Sequence, residues 1–219
     1  MTDWSEVARA ADPDSHGYEA SRTSLAQRYW PIIYAFIRQS GRDEETALDL
    51  TQGFLADVLF SRGLLDRANP ERGRFRTLLL SSVVNYLRDD HRRRTAARRH
   101  PGEGRFVLHG ALPVIRDPSL TPEQAFAAAW VAMLIREAAE QCRQQCMREE
   151  REAAWICLER RILRSALEGA SPATTEELKQ ITGLATASRI ARALASAKRC
   201  FAERLLERIG ASAHADVSD

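Results

Sequence analysis

Six arginines crowd the twelve residues Arg88-Asp89-Asp90-His91-Arg92-Arg93-Arg94-Thr95-Ala96-Ala97-Arg98-Arg99. A local basic stretch of this kind is the electrostatic footprint of a polyanion partner. Arginine in place of lysine favours phosphate or base contact, because the planar guanidinium fork matches phosphate oxygens. The pattern leading into this stretch is helical. Phe75, Leu78, Leu79, Ser82, Val83 and Tyr86 recur at three- and four-residue steps, and Asn85, Arg88, His91, Arg92 and Arg93 lie along the other side. Asn85, Arg88, Arg92 and Arg93 are expected to form one outward stripe, with arginines for phosphates and Asn85 either for a base edge or for a structural role. Aromatic rings among arginines also suit stacked, unpaired bases, but the place of Phe75 and Tyr86 in the apolar stripe reads as core.

Other chemistry finds less to work with. Cys142 and Cys146 sit at i, i+4, on one face of any helix, and could be half a metal site. No second pair at ligand spacing accompanies them, so Cys142, Cys146, Cys157 and Cys200 read as small buried thiols and the sequence predicts neither metal nor cofactor. Adjacent Asp89 and Asp90 would be splayed about 100° apart on a helix instead of paired. The five histidines are scattered. The phosphate-loop, nucleophile-elbow and zinc-protease signatures are absent from the sequence. The expected protein is a binding module without a catalytic centre.

A second candidate surface lies near the C-terminus. A short helix around Glu176–Ile181, a turn with Gly183 and a longer helix from about Thr186 have helix-turn-helix spacing, the arrangement that lays a second helix in the major groove. Thr186, Ser188, Arg189, Arg192, Lys198 and Arg199 are the candidates to face DNA. Ile190, Leu194, Ala197 and Phe201 are the candidates to face a core.

The elements that must position these residues all read as helices. With 219 residues, 44% hydrophobic and 28% charged, the chain has a globular composition and room for two small domains; its net charge of +2 says little. No apolar run approaches the roughly 18 residues of a membrane span, and Met1-Thr2-Asp3-Trp4-Ser5-Glu6 lacks the basic and apolar regions of a signal peptide, so no membrane insertion and a cytoplasmic address are expected. A helix is expected over 25–39, with Pro31 marking a kink or a fresh start. Asp43 caps another that runs to about 60, with Ala47, Leu50, Phe54 and Val58 inward and Gly53 at a cost of about 1 kcal/mol. Residues 66–74 read as a basic loop. Pro and Gly at 101, 102, 104, 110, 113 and 118 mark a linker over 98–120. Thr121-Pro122-Glu123 opens a helical stretch extending to about 168. The expected fold is all-α: a domain over 1–97, the linker, and a helix-turn-helix domain over 121–219.

Three stretches together resemble a known family. Phe75-Arg76-Thr77-Leu78, Asn85, Asp89 and Arg92-Arg93 resemble the DNA-melting helix of extracytoplasmic-function sigma factors of bacterial RNA polymerase. Asp49-Leu50-Thr51-Gln52-Gly53-Phe54-Leu55 is similar to their core-binding helix, except that Gly53 stands where the family usually has an acid. Tyr29-Trp30-Pro31, Tyr34-Ala35-Phe36-Ile37-Arg38 and Pro70-Glu71-Arg72-Gly73-Arg74-Phe75-Arg76 look like the planctomycete-type branch. The resemblance covers about 25–95 well and 120–210 more weakly, the Ala-rich second helix of the C-terminal pair departing most. It implies a sigma factor whose partners are the polymerase core, held by Leu48, Asp49, Gln52, Phe54 and Leu55, and promoter DNA. Arg74, Arg76, Asn85, Arg88, His91, Arg92 and Arg93 would meet the minus-ten element; the C-terminal helix would read the minus-thirty-five duplex. An anti-sigma factor is a further possible partner. The rival expectations are a degenerate adaptor that holds a partner without starting transcription, and a stand-alone DNA-binding regulator.

Overall fold

A computed structural model describes residues 4–61, 64–68, 75–96 and 117–213, and every regular element among them is helical. The chain divides into two compact units, 2–130 and 131–211, the boundary falling inside a helix.

In the first unit, α1 (Trp4–Ala11), which the sequence pattern does not announce, packs beside α2 (Tyr18–Gln39). Helix α2 starts after Gly17, at φ 88°, and runs unbroken through Pro31. The fresh start allowed at Pro31 does not occur: burial of Tyr29, Trp30, Ile32, Ile33, Phe36 and Ile37 on both sides of it holds the helix together despite the lost hydrogen bond. Helix α3 (Glu44–Gly53) begins at Asp43, whose carboxylate accepts from the Thr46 backbone N–H and hydroxyl, both at 2.8 Å. It passes directly into a π-helical segment, Phe54–Ser61. The wider turn shifts the inward register by one. Leu59 is buried and Val58, expected inward on a 3.6-residue repeat, is only half-buried.

Helix α4 (Leu64–Arg67) is a single turn, and α5 (Phe75–Ala96) follows. The first residues of α6 (Pro122–Arg148) belong to the same unit. Thr121 opens α6 as expected, its hydroxyl accepting from Gln124 N–H while Gln124 Oε1 accepts from Thr121 N–H. Phe126 and Trp130, stacked 6.0 Å apart, join the aromatic core: Trp130 lies 5.8 Å from Tyr29, Tyr29 5.0 Å from Phe75, and Phe126 6.3 Å from Phe36. Each such pair adds about 0.5–1.5 kcal/mol beyond area burial.

The second unit contains the rest of α6, then α7 (Glu152–Leu158), a π-helical segment Glu159–Leu163, α8 (Arg164–Glu168), α9 (Thr175–Thr182) and α10 (Ala187–Ala213). The helical stretch expected over 121–168 is thus interrupted. Glu150 adopts a left-handed conformation (φ 54°), with Glu150 N–H bonded to the Met147 carbonyl and Arg151 N–H to that of Cys146. This is a Schellman ending with glutamate where glycine is usual, so composition alone did not mark it. The core of the unit gathers Ala139, Cys142, Cys146, Trp155, Leu158, Leu163, Ala197 and Cys200, with a smaller cluster of Cys157, Leu178 and Ile190.

Candidate nucleic-acid interface

Helix α5 has a clear inside. Phe75, Leu79, Val83, Tyr86 and Asp90 are all buried and fall within one arc at 100° per residue. Asp90 therefore turns inward and Asp89 outward. Opposite that arc, Asn85, Arg88 and Arg92 form an exposed stripe. Arg93, expected on the same stripe, sits about 100° further round. It is exposed too, but its guanidinium stands 5.9 Å from the centre of the Tyr86 ring. His91 is exposed on the helix flank. Arg76, half-buried at the start of the helix, lies 6.0 Å from the Trp130 ring centre. Arg74 lies outside the described residues.

The helix is anchored by a close approach that the sequence did not reveal. A Cβ added to Gly53 would fall inside the van der Waals surface of the Tyr86 hydroxyl, and Phe54 meets the Tyr86 ring edge-on at 5.6 Å. Gly53 thus lets the tyrosine of α5 lie flush against the backbone of α3. The same contact explains why position 53 cannot carry an acid without moving Tyr86.

On α3, Asp49 is exposed and Leu48 and Gln52 are half-buried, which leaves them able to meet a partner. Phe54 and Leu55 are buried, with 0% and 4% exposure, so they hold the helix in the core and offer no surface. The Asp43 carboxyl, at the start of this helix, is held below its ordinary range chiefly by the hydrogen bond from Thr46 N–H.

In the second unit, α9 carries a capping box: Thr174 Oγ1 accepts from Glu177 N–H, and the Glu177 carboxylate accepts from Thr174 N–H at 2.7 Å. Gly183 ends it at φ 70°. Thr186 then acts as the N-cap of α10, its hydroxyl accepting from Arg189 N–H at 3.3 Å. Thr186, Ser188, Arg189, Arg192, Lys198 and Arg199 are all exposed. Ser188, Arg192 and Arg199 cluster opposite the buried arc of Ile190, Ala197 and Cys200; Arg189 and Lys198 flank them on either side. Leu194 and Phe201 are half-buried against the core, as expected. Ser196 accepts from Arg151 at 2.6 Å, which ties α10 to the start of α7.

One cluster escaped the sequence pattern. Cys142, Cys146 and Cys200 are all buried, and their sulfur atoms lie within 4.8 Å of one another. The i, i+4 spacing marked the first two, but nothing local connects Cys200 to them.

No helix among the described residues is long and apolar enough to cross a membrane. No family model, curated protein or solved structure matches the chain.

Proposed function

We propose that this chain is a sigma-type subunit that directs bacterial RNA polymerase core to promoter DNA. The observation that carries the reading is the exposed stripe of Asn85, Arg88 and Arg92 on a helix whose opposite arc is locked into an aromatic core. Fixed positive charges on a rigid helix suit capture of a polyanion, and an asparagine among them can read a base edge. Two further features support it: the exposed Asp49 beside half-buried Leu48 and Gln52 on the neighbouring helix, and the basic outer face of α10 behind a capped short helix and a glycine turn. In this reading Leu48, Asp49 and Gln52 dock on the polymerase. The α5 stripe, with Arg76, His91 and Arg93 at its margins, holds the melted minus-ten strand. Thr186, Ser188, Arg189, Arg192 and Arg199 approach the minus-thirty-five duplex.

The test is reconstituted transcription: purified chain, bacterial core polymerase and a library of promoter fragments, with start sites mapped. Chain-dependent start sites sharing two upstream sequence elements are the expected result. Specific duplex binding by the chain without polymerase would point instead to a stand-alone regulator.

Gly53 favours a second reading. The Tyr86 hydroxyl occupies the space that an acidic side chain at 53 would need. A chain that binds core polymerase yet yields no promoter-dependent transcript would be an adaptor.

A further inference from the structure

We propose that Cys142, Cys146 and Cys200 are the ligands of a thiolate site for a soft d10 metal ion of the zinc and cadmium class, with the Gln145 amide oxygen as the fourth donor. Helix α6 presents Cys142 and Cys146 one turn apart, and α10 presents Cys200 across from them. Three of the chain's four cysteines meet here, with exposures of 0%, 0% and 4%. Zinc–sulfur bonds of about 2.3 Å in tetrahedral geometry set thiolates about 3.8 Å apart. The observed limit of 4.8 Å therefore asks for an inward shift of about 1 Å at most.

The polar surroundings separate this cluster from ordinary core thiols. Gln145 Oε1 lies 3.2 Å from Cys200 Sγ. The amide is held in that orientation from both ends: its nitrogen donates to Glu149 at 2.9 Å, and its oxygen accepts from Arg204 at 3.0 Å. The Cys200 thiol donates to this oxygen in the metal-free chain, and on binding that proton would give way to the metal. Three thiolates around a divalent ion leave a net charge of −1, and the nearest cation is the Arg204 guanidinium, which also pairs with Glu207 at 2.8 Å. Ala139, Trp155 and Leu158 belong to the same buried cluster, and the Ala197 carbonyl accepts from the Cys142 thiol at 3.7 Å. Cys157 is buried in the separate cluster of Leu178 and Ile190 and takes no part. On binding, three S–H bonds are replaced by three sulfur–metal bonds, and three protons pass to solvent. The ion would cross-link α6 to α10, the helix whose outer face carries Ser188, Arg192 and Arg199.

The test uses the full chain, purified reduced and metal-free, titrated with Cd(II) and then with Zn(II). The expected result is one Cd(II) per chain, with the ultraviolet charge-transfer absorption of three thiolates, retained against equimolar Zn(II) because thiolates hold the softer ion more tightly. X-ray absorption of the zinc-loaded wild-type chain should find three sulfur neighbours at about 2.3 Å and one lighter atom; this reading needs no variant. Cys200→Ser should lose the site and Cys157→Ser should keep it, with circular dichroism confirming that both are folded. Gln145→Ala should leave three sulfur neighbours and weaken binding by at least the roughly 10–100-fold that loss of an outer-shell partner costs. The proposal is overturned if wild type gives no charge-transfer band, if the metal has only oxygen and nitrogen neighbours, or if the band survives in folded Cys200→Ser.

Discussion

A methyl group at position 53 would press into the Tyr86 hydroxyl, so Gly53→Ala sets two effects against each other. Alanine gains about 1 kcal/mol over glycine inside a helix, and overpacking costs about 1–3 kcal/mol. With Tyr86 buried and wedged against Phe54, overpacking should win, and Gly53→Ala should lower stability. In a Tyr86→Phe background the hydroxyl is gone and the same substitution should become neutral or stabilising. A denaturation double-mutant cycle checks this; equal effects in both backgrounds would remove Tyr86 from the explanation. From sequence, Gly53 is visible as a helix cost and as a departure from the family pattern, but its reason for being glycine sits on another helix. Asp43 gives the second prediction at this scale. Its folded-state pKa is depressed, so its contribution is present above the unfolded value, near 3.8, and is lost as pH falls through the folded one. Asp43→Asn keeps an acceptor for Thr46 N–H but cannot titrate. Its melting temperature should therefore fall less than wild type's between pH about 5 and 2, as thermal melts across that range would show.

Capped helix starts were legible and uncapped ones were not: α1 goes unannounced, and α2 begins at Tyr18, ahead of the expected 25. Thr121 before Pro122 and Asp43 before Glu44 each satisfy the first free N–H groups with a side chain at a fixed offset, which is a local property, and the structure shows Thr174 doing the same for α9. The exposed faces of α5 and α10 were legible for the same reason, since a 3.6-residue repeat separates Phe75, Leu79 and Val83 from Asn85, Arg88 and Arg92. The π-helical segments broke that repeat, so Leu59 displaced Val58 inward. The end of α6 was hidden because its left-handed residue is Glu150. That conformation costs a non-glycine residue roughly 1–2 kcal/mol. Glu150→Gly should accordingly stabilise the second unit by about 1 kcal/mol, part of the gain being offset by the greater freedom of glycine in the unfolded chain. Thr174→Ala should do the opposite, removing the cap of α9 at a cost of about 1 kcal/mol. Denaturant unfolding of the full chain tests both, and a destabilised Glu150→Gly would mean that the Glu150 side chain contributes more than its backbone strain costs.

Across the whole molecule the net charge is only +2, yet both compact units present arginines on the outer arc of a well-anchored helix. If both faces meet phosphates of the same DNA, counterion release makes the number of contacts countable. Each phosphate neutralised on duplex DNA contributes about 0.9 to the slope of log affinity against log salt, and about 0.7 on a single strand. On the proposed function, Arg199→Ala removes a duplex contact and should flatten the slope for promoter binding by the holoenzyme by about 0.9. Arg92→Ala removes a single-strand contact and should flatten it by about 0.7, but only where the open complex forms. The double variant should flatten it by the sum, because two contacts in different units share no partner. A control separates charge from fold: Lys198 lies on the flank of α10 away from Ser188, Arg192 and Arg199, and Lys198→Ala should move the slope least of the three. The measurement is holoenzyme binding to a fixed promoter over a series of salt concentrations, with single-strand opening followed separately. If Arg92→Ala leaves both the opening step and the slope untouched, the α5 stripe is only a solvated face and the adaptor reading gains. If Arg199→Ala alone is silent, DNA recognition by this chain rests on the first unit.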